Sequence, residues 1–186
     1  MVFDNERRAD AQLRPIAESD LDIILSWRNS ERIRSVMFSN HVISSDEHRS
    51  WFESLNKKDA SVFLLFEYER KPAGLVYFTD IDRANGTCYW GFYLGSEDLP
   101  AGTGSLLGVL GIDYAFEQLR MRKICGKTFA YNTGGVKFHR KLGFHQEGRL
   151  VKHFQKNGKF EDVIFFSLFK EDWDRDKNEL SAPGAR

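Results

Sequence analysis

The 186-residue chain is 41% apolar and contains 16 Phe, which allows one domain with a sizeable core and excludes disorder for most of its length. Lys plus Arg and Asp plus Glu are equal at 27 each, so no overall field favours nucleic acid or an anionic membrane as a partner. The charges are unevenly placed, however, because every charged side chain between Glu117 and Glu147 is basic. This basic run favours a compact polyanionic ligand.

The order of elements predicts an α+β domain. Its predicted elements, in chain order, are a strand over 13–16, helices from 21, over 33–37 and from 44, strands over 60–68, 73–82 and 87–95, a helix over 104–119, the strand Lys123–Phe129, a helix over 134–142, and strands over 144–156 and 159–170. Ser19 or Asp20 is predicted to cap the first of these helices. We expect a single domain over 11–173, a flexible N-terminus over 1–10 and a flexible tail over 174–186.

The cysteines, the histidines and the first residues argue against a disulfide framework, a metal site and a signal peptide, respectively. Cys88 and Cys125 each lie in an apolar run, which is typical of reduced core residues. The histidines show no zinc-ligand spacing, so no metal site is predicted. The first residues lack the apolar core of a signal peptide, and we expect a cytoplasmic protein with no membrane partner.

A glycine loop, Leu99-Pro-Ala-Gly102-Thr-Gly104-Ser105, runs into the apolar helix predicted over 104–119. Gly can take positive φ or bring bare backbone close to a ligand. A helix N-terminus attracts anions through its unpaired amides and its dipole. The loop therefore has the physical form of a phosphate site, although many such turns are only turns.

Three segments together resemble the Gcn5-related N-acetyltransferase (GNAT) superfamily. They are the glycine loop after an aromatic strand, the strand Lys123-Ile-Cys-Gly-Lys-Thr, and the helix Asn132-Thr-Gly-Gly-Val-Lys-Phe-His139-Arg-Lys-Leu-Gly143-Phe144. The resemblance implies the GNAT (acyl-CoA N-acyltransferase) fold, a mixed, mostly antiparallel sheet of about seven strands flanked by helices. It also implies an acetyl-CoA-dependent N-acetyltransferase without a metal. Two departures from the family pattern are Leu99, where a basic residue or Gln is usual, and His139, where many members have Tyr.

The resemblance implies where acetyl-CoA, as co-substrate, would bind. Its pyrophosphate would lie on the loop amides, and its pantetheine arm would follow the strand over 89–94 where this splays from the next strand. The implied cofactor-binding residues are Phe92, Tyr93, Leu94, Ala101, Gly102, Thr103, Gly104, Ser105, Asn132 and Lys137. For Asn132, capping of its own helix remains an equal alternative.

Two residues are candidate catalytic groups. His139 stands where the family's Tyr protonates the leaving thiolate, and an imidazolium could do so near neutral pH. A histidine on the surface of a basic helix is the alternative. Asp80, at the end of a strand, is a possible base, whereas an exposed turn carboxylate is the commoner explanation.

The N-terminal half contains two motifs, Trp27-Arg28-Asn29-Ser30…Ile33-Arg34…Met37 and Ser45…His48-Arg49-Ser50-Trp51-Phe52. These motifs are similar to those of the N-acetyltransferases of pseudaminic acid biosynthesis, which implies a UDP-linked 4-amino sugar as acceptor. The implied substrate-binding residues are Arg28, Asn29, Met37, His48 and Thr79. Arg28 and His48 would be cationic donors to a diphosphate, or Arg28 would be structural in a salt bridge. The alternatives are a protein N-terminal or ribosomal-protein acetyltransferase and a non-catalytic acyl-CoA-binding sensor.

Overall fold

A mixed seven-stranded sheet forms the frame of the computed structural model, which describes residues 9–55 and 60–181. The elements are β1 (Ala11–Pro15), α1 (Leu21–Asn29), α2 (Glu31–Arg34), α3 (Ser45–Leu55), β2 (Val62–Tyr68), β3 (Lys71–Asp82), β4 (Thr87–Leu94), α4 (Thr103–Asp113), β5 (Lys123–Phe129), α5 (Thr133–Lys141), β6 (His145–Lys156), β7 (Lys159–Phe169) and α6 (Lys170–Ser181). The spatial order is β1-β2-β3-β4-β5-β7-β6. Neighbouring strands are antiparallel except β4 and β5, which are parallel. The predicted fold class is confirmed.

Helix α4 packs unusually close to its neighbours, which explains two glycines in its interior. A Cβ on Gly108 would lie 2.7 Å from a methyl of Leu142, just beyond the end of α5, and one on Gly111 would lie 3.0 Å from Val76 of β3. Glycine costs a helix about 1 kcal/mol relative to Ala, and here it permits contact that any side chain would prevent. The α-helix ends at Asp113 and continues as a π-helical turn, Tyr114–Gln118.

The N-terminal elements differ from the prediction in detail. Asp20 precedes α1, but its side chain does not cap that helix. Its carboxylate instead binds the Arg14 guanidinium at 2.6 and 2.9 Å and accepts from the Ala17 amide. Arg14 also lies 2.7 Å from Glu67, so the buried Asp20 belongs to an ion network that joins β1, β2 and the turn before α1. This pairing with Arg14 lowers the pKa of Asp20.

Other boundaries also shift. The second helix lies over Glu31–Arg34, earlier than the predicted 33–37, because the Ser30 side chain accepts from the Ile33 amide and fixes its start. Residues 174–181, assigned to a flexible tail, are helical in α6. The remaining predicted termini, 1–8 and 182–186, lie outside the described residues.

We expect Gly95→Ala to lower the free energy of unfolding by about 2 kcal/mol, within the range for overpacked cores. A Cβ at Gly95 would lie 2.0 Å from the ring of Trp27, a buried side chain of α1. Urea unfolding followed by fluorescence measures the change. Gly148→Ala is the control, because nothing lies within 4 Å of its added Cβ, and equal stability of the two variants would contradict the packing argument.

Candidate active site

Strands β4 and β5 separate partway along their length and leave a gap in the middle of the sheet. They pair only where Thr87, Cys88 and Tyr89 lie beside Lys123, Ile124 and Cys125. The Gly95 amide donates to the Ala73 carbonyl at 2.8 Å. Because backbone groups alternate along an antiparallel pair, the amides of Phe92 and Trp90 face the gap and not β3. The predicted splay is present, and backbone amides of β4 point into it.

The glycine loop ends where α4 begins, beside the mouth of the gap. Gly102 has φ 97° and is the N-cap of α4, a conformation that favours glycine. The amides of Thr103 and Ser105 are already hydrogen-bonded, to the carbonyls of Pro100 and Gly102. Among the described residues no hydrogen bond of the Gly104 amide is found, so it is a donor that the loop can offer to an anion.

Basic residues of α5 lie beside this loop. Lys141 donates to the Ser105 hydroxyl at 2.8 Å, and Lys137 is exposed one turn earlier on the helix. Lys141 was not singled out from the sequence, since only the packing of α5 against α4 shows which lysine of the basic run reaches the loop. Cationic side chains beside a helix N-terminus have the chemistry needed to bind an anion.

Asn132 is the N-cap of α5. Its carbonyl oxygen accepts from the Gly135 amide at 3.0 Å, and its amide nitrogen donates to the Thr128 hydroxyl at 3.0 Å. Both ends of the side chain are therefore engaged within the protein. The structure favours the capping alternative over a contact with the cofactor arm.

His139 is buried, in contrast to the surface position that was the alternative. Its ring is 3% exposed, stacks on Phe166 at 4.7 Å and contacts Trp90, Phe92 and Phe144. Burial lowers the pKa of His139 to about 4. The Nδ1–H group donates to the Gly135 carbonyl at 2.8 Å, so in the neutral ring Nε2 carries no proton. Burial therefore weighs against an imidazolium at neutral pH, because desolvation disfavours the charged form of the ring.

Two cavities meet beside the gap. The smaller, of about 150 Å³, is lined at the gap by Phe92, Asn132 and His139 among others. The larger, of about 340 Å³, lies between the sheet and helices α1 and α3. Both are lined by the same four residues, Met37, Phe38, Tyr77 and Tyr93. These four side chains form a shared wall between the larger cavity and the gap.

The larger cavity is mainly apolar and aromatic. Its remaining lining residues are Ile24, Arg28, Ser39, Ile43, Glu47, His48, Trp51, Phe63 and Leu75. Tyr77, Phe63 and Glu47 were missed by sequence reasoning. The alternation of β2 and β3 indicated that one face is buried, but it did not show that a cavity lies there.

The predicted substrate-binding residues divide between cavity and framework. Arg28, Met37 and His48 line the larger cavity, and Thr79 lines the smaller. Asn29 does not line either: its side chain accepts from the Ile43 amide at 2.8 Å and donates to the Ile43 carbonyl at 2.9 Å. It therefore fixes the loop before α3, a structural role in place of the predicted binding one.

Arg28 and His48 have different charges in this setting. Arg28 forms no salt bridge within the described residues, and its Nη2 donates to the Ser39 carbonyl at 2.8 Å. His48 is 6% exposed and stacks on Trp51, and burial lowers its pKa. The predicted pair of cationic donors is thus reduced to Arg28 alone, because a histidine with a lowered pKa is neutral at pH 7.

Asp80 lies apart from both cavities. It is exposed, with φ 50°, at the irregularity that interrupts β3–β4 pairing between Thr79 and Asp82. Its side chain is within 3.4 Å of the Thr79 hydroxyl. The geometry agrees better with an exposed turn carboxylate than with the predicted base.

The described residues, 9–55 and 60–181, hold no cluster of three or more His, Cys, Asp or Glu side chains that could bind a metal. In the same ranges no helix has the length and apolarity needed to cross a membrane.

Comparison with known proteins agrees with this architecture. The family model described as acetyltransferase (GNAT) domain matches residues 13–165. The SPbeta prophage-derived uncharacterized N-acetyltransferase YokL of Bacillus subtilis is 27% identical over 87% of this chain and 91% of its own length. Acetyltransferase PseH of Campylobacter jejuni is 24% identical over 67% of this chain and 76% of its own. The crystal structure of spermidine N-acetyltransferase from Vibrio cholerae with CoA and spermine superposes with a TM-score of 0.83, at 23% identity, over 89% of this chain and 98% of the other.

Proposed function

The chain belongs to the family of acetyltransferases with a GNAT domain, and we propose that it transfers the acetyl group of acetyl-CoA to a primary amine held in the larger cavity. One observation carries this proposal: the gap between β4 and β5 lies at the smaller of two cavities that share one wall. Two substrates entering from different sides would meet there. The larger cavity is called the acceptor cavity below.

Acetyl-CoA would lie along the open part of β4. The pyrophosphate would accept a hydrogen bond from the Gly104 amide and attract Lys141 at the end of α5. The thioester carbonyl would then accept from the Phe92 amide, which faces the gap. An amide held rigidly by β3–β4 pairing is an effective oxyanion donor because it needs no reorganisation during the reaction.

The acetyl transfer would proceed by direct attack. The neutral amine nitrogen forms a bond to the thioester carbon, and the charge that develops on the carbonyl oxygen is stabilised by the Phe92 amide. The C–S bond then breaks, and the proton released by the nitrogen goes to the departing thiolate, giving the acetamide and free CoA. His139 supplies no proton in this scheme, because its ring is neutral near pH 7.

A UDP-linked amino sugar is a more specific hypothesis for this primary amine acceptor. Support comes from Arg28, which lines the acceptor cavity, and from the similarity to PseH. The neutral His48 and the apolar wall weigh against burying a diphosphate inside the cavity. A diphosphate would therefore remain at the mouth while the amino sugar enters.

A polyamine is less well matched by the acceptor cavity. Polyamines carry several positive charges, whereas the only carboxylate among the cavity's lining residues is that of Glu47, and it already lies 2.8 Å from His41. Arg28 adds a positive charge on the same wall. A small amine with a single charge and a largely apolar body fits these charges better.

A substrate panel read by release of free CoA thiol tests the proposal. The panel contains a UDP-amino sugar, spermidine, a short peptide with a free N-terminus and simple benzylamines, each incubated with acetyl-CoA and the full chain. We expect turnover with at least one monoamine and at least tenfold lower kcat/KM with spermidine. Binding of acetyl-CoA by calorimetry without thiol release from any amine would overturn the proposal.

A further inference from the structure

Two buried polar atoms in the acceptor cavity have no hydrogen-bond partner among the described residues. They are Nη1 of Arg28 and Nε2 of His48, and both side chains line this one cavity. A buried polar atom without a partner is costly, and such atoms are rare in folded proteins. Because both side chains line a cavity of about 340 Å³, a ligand bound against them is the natural source of the missing bonds.

The two atoms have opposite hydrogen-bonding roles. Nη1 of Arg28 is a donor only, because a guanidinium has no acceptor atom. The Leu21 backbone partly offsets the lowering of the His48 pKa, as a carbonyl beside the ring's other nitrogen does, because a carbonyl can only accept. The proton of the neutral ring is thus on Nδ1, and Nε2 presents a lone pair. A ligand that satisfies both atoms must therefore offer one hydrogen-bond acceptor and one hydrogen-bond donor.

His48 lies at the end of the acceptor cavity far from the gap. A chain of ring contacts separates them: His48 stacks on Trp51 at 4.9 Å, Trp51 contacts Phe63 at 5.1 Å, and Phe63 stacks on Tyr77 at 5.2 Å. Of these four rings only Tyr77 also lines the smaller cavity. The His48 contact is therefore made by the part of the acceptor remote from its reacting amine.

We propose that the acceptor carries, across an apolar body from its amine, a neutral amide group whose carbonyl accepts from Arg28 and whose N–H donates to His48. This inference rests on the proposed acetyl transfer and specifies its substrate class. A carboxylate or phosphate could satisfy Arg28 but has no proton to donate to His48. An ammonium could donate to His48 but would face the charge of Arg28. An amide satisfies both and adds no charge to an apolar cavity.

A matched set of amines tests the proposal. The probes are 4-(aminomethyl)benzamide, 4-(aminomethyl)benzoate and 4-methylbenzylamine, which share the amine and the ring and differ only at the far end. We expect kcat/KM for the benzamide to exceed each of the other two about tenfold, as one or two buried hydrogen bonds imply. Equal rates for the three amines would overturn the inference while leaving the acetyl transfer itself established. No turnover with any amine, in this set or the wider panel, would instead overturn the proposed function.

Variants assign the preference to the two side chains. With His48→Phe, the advantage of the benzamide over the benzoate should fall several-fold, because the N–H contact to His48 is lost and only their difference in charge remains. With Arg28→Met, 4-methylbenzylamine should become the best of the three. Arg49→Met is the matched control on α3, the helix that also carries His48, since Arg49 is exposed and binds Glu18. This variant should rank the three amines as the wild type does. Calorimetric binding of CoA checks that each variant is folded, and an unchanged order in both cavity variants would contradict the proposal.

Discussion

Replacing Gly104 by Asp is expected to reduce acetyl-CoA affinity at least 100-fold while leaving the unliganded protein as stable as the wild type. Gly104 lies in the first turn of α4, and its amide is a donor that the loop can offer. A carboxylate there would repel the pyrophosphate at short range. The same carboxylate would interact favourably with the helix dipole, by about 0.5 kcal/mol. Binding and stability should thus change independently.

Gly104→Ala is the control for the added side chain. An added Cβ would lie 3.5 Å from Leu94 and 3.8 Å from Phe138, which are ordinary van der Waals distances. The Ala variant should therefore fold normally and bind acetyl-CoA within a fewfold of wild type. Calorimetric titration with CoA gives the affinities, and urea unfolding without ligand gives the stabilities. If the Asp variant bound CoA like the Ala variant, the pyrophosphate would not lie at this helix end.

His139→Phe is expected to keep turnover at pH 7 within about threefold of wild type and to remove a pH dependence of stability. The histidine ring is enclosed by Trp90, Phe92, Phe144 and Phe166, so Phe can occupy the same space. His139→Ala should instead cost about 3 kcal/mol, as large-to-small core substitutions do. A loss of turnover in the Phe variant at unchanged stability would restore a proton-transfer role to His139.

The sign of the pH effect follows from the pKa of His139. It falls to about 4 in the folded protein, whereas an unfolded histidine titrates near 6.5. Between these values the unfolded chain binds the proton and the folded chain does not, so stability is full above about pH 6.5 and declines toward pH 4. The wild type should lose about 3 kcal/mol over this range relative to His139→Phe. His48 acts in the same direction in both proteins and cancels from the comparison. Unfolding in urea at pH 7.5 and 4.5 measures the difference.

The sequence by itself determined the fold family and most elements. The motif Asn132…Gly143-Phe144 and the glycine loop are local signals, because a helix cap, a C′ glycine at φ 86° and a positive-φ glycine before a helix each depend on neighbouring residues. The alternation and periodicity of apolar residues likewise located the strands, and β5 has the predicted bounds. Local rules suffice where the stabilising partner is near in sequence.

Only the tertiary structure determined the burial and the protonation states of the site histidines. The sequence could not show that four aromatic rings enclose His139 or that His48 lies under α1, since burial depends on residues far apart in the chain. Both histidines were candidates for cationic roles, and desolvation favours the neutral form of each ring. The acceptor cavity has the same origin: Arg28, His48 and Tyr77 come from three separate elements. Charge state and cavity shape are properties of packing, and packing is decided by the whole chain.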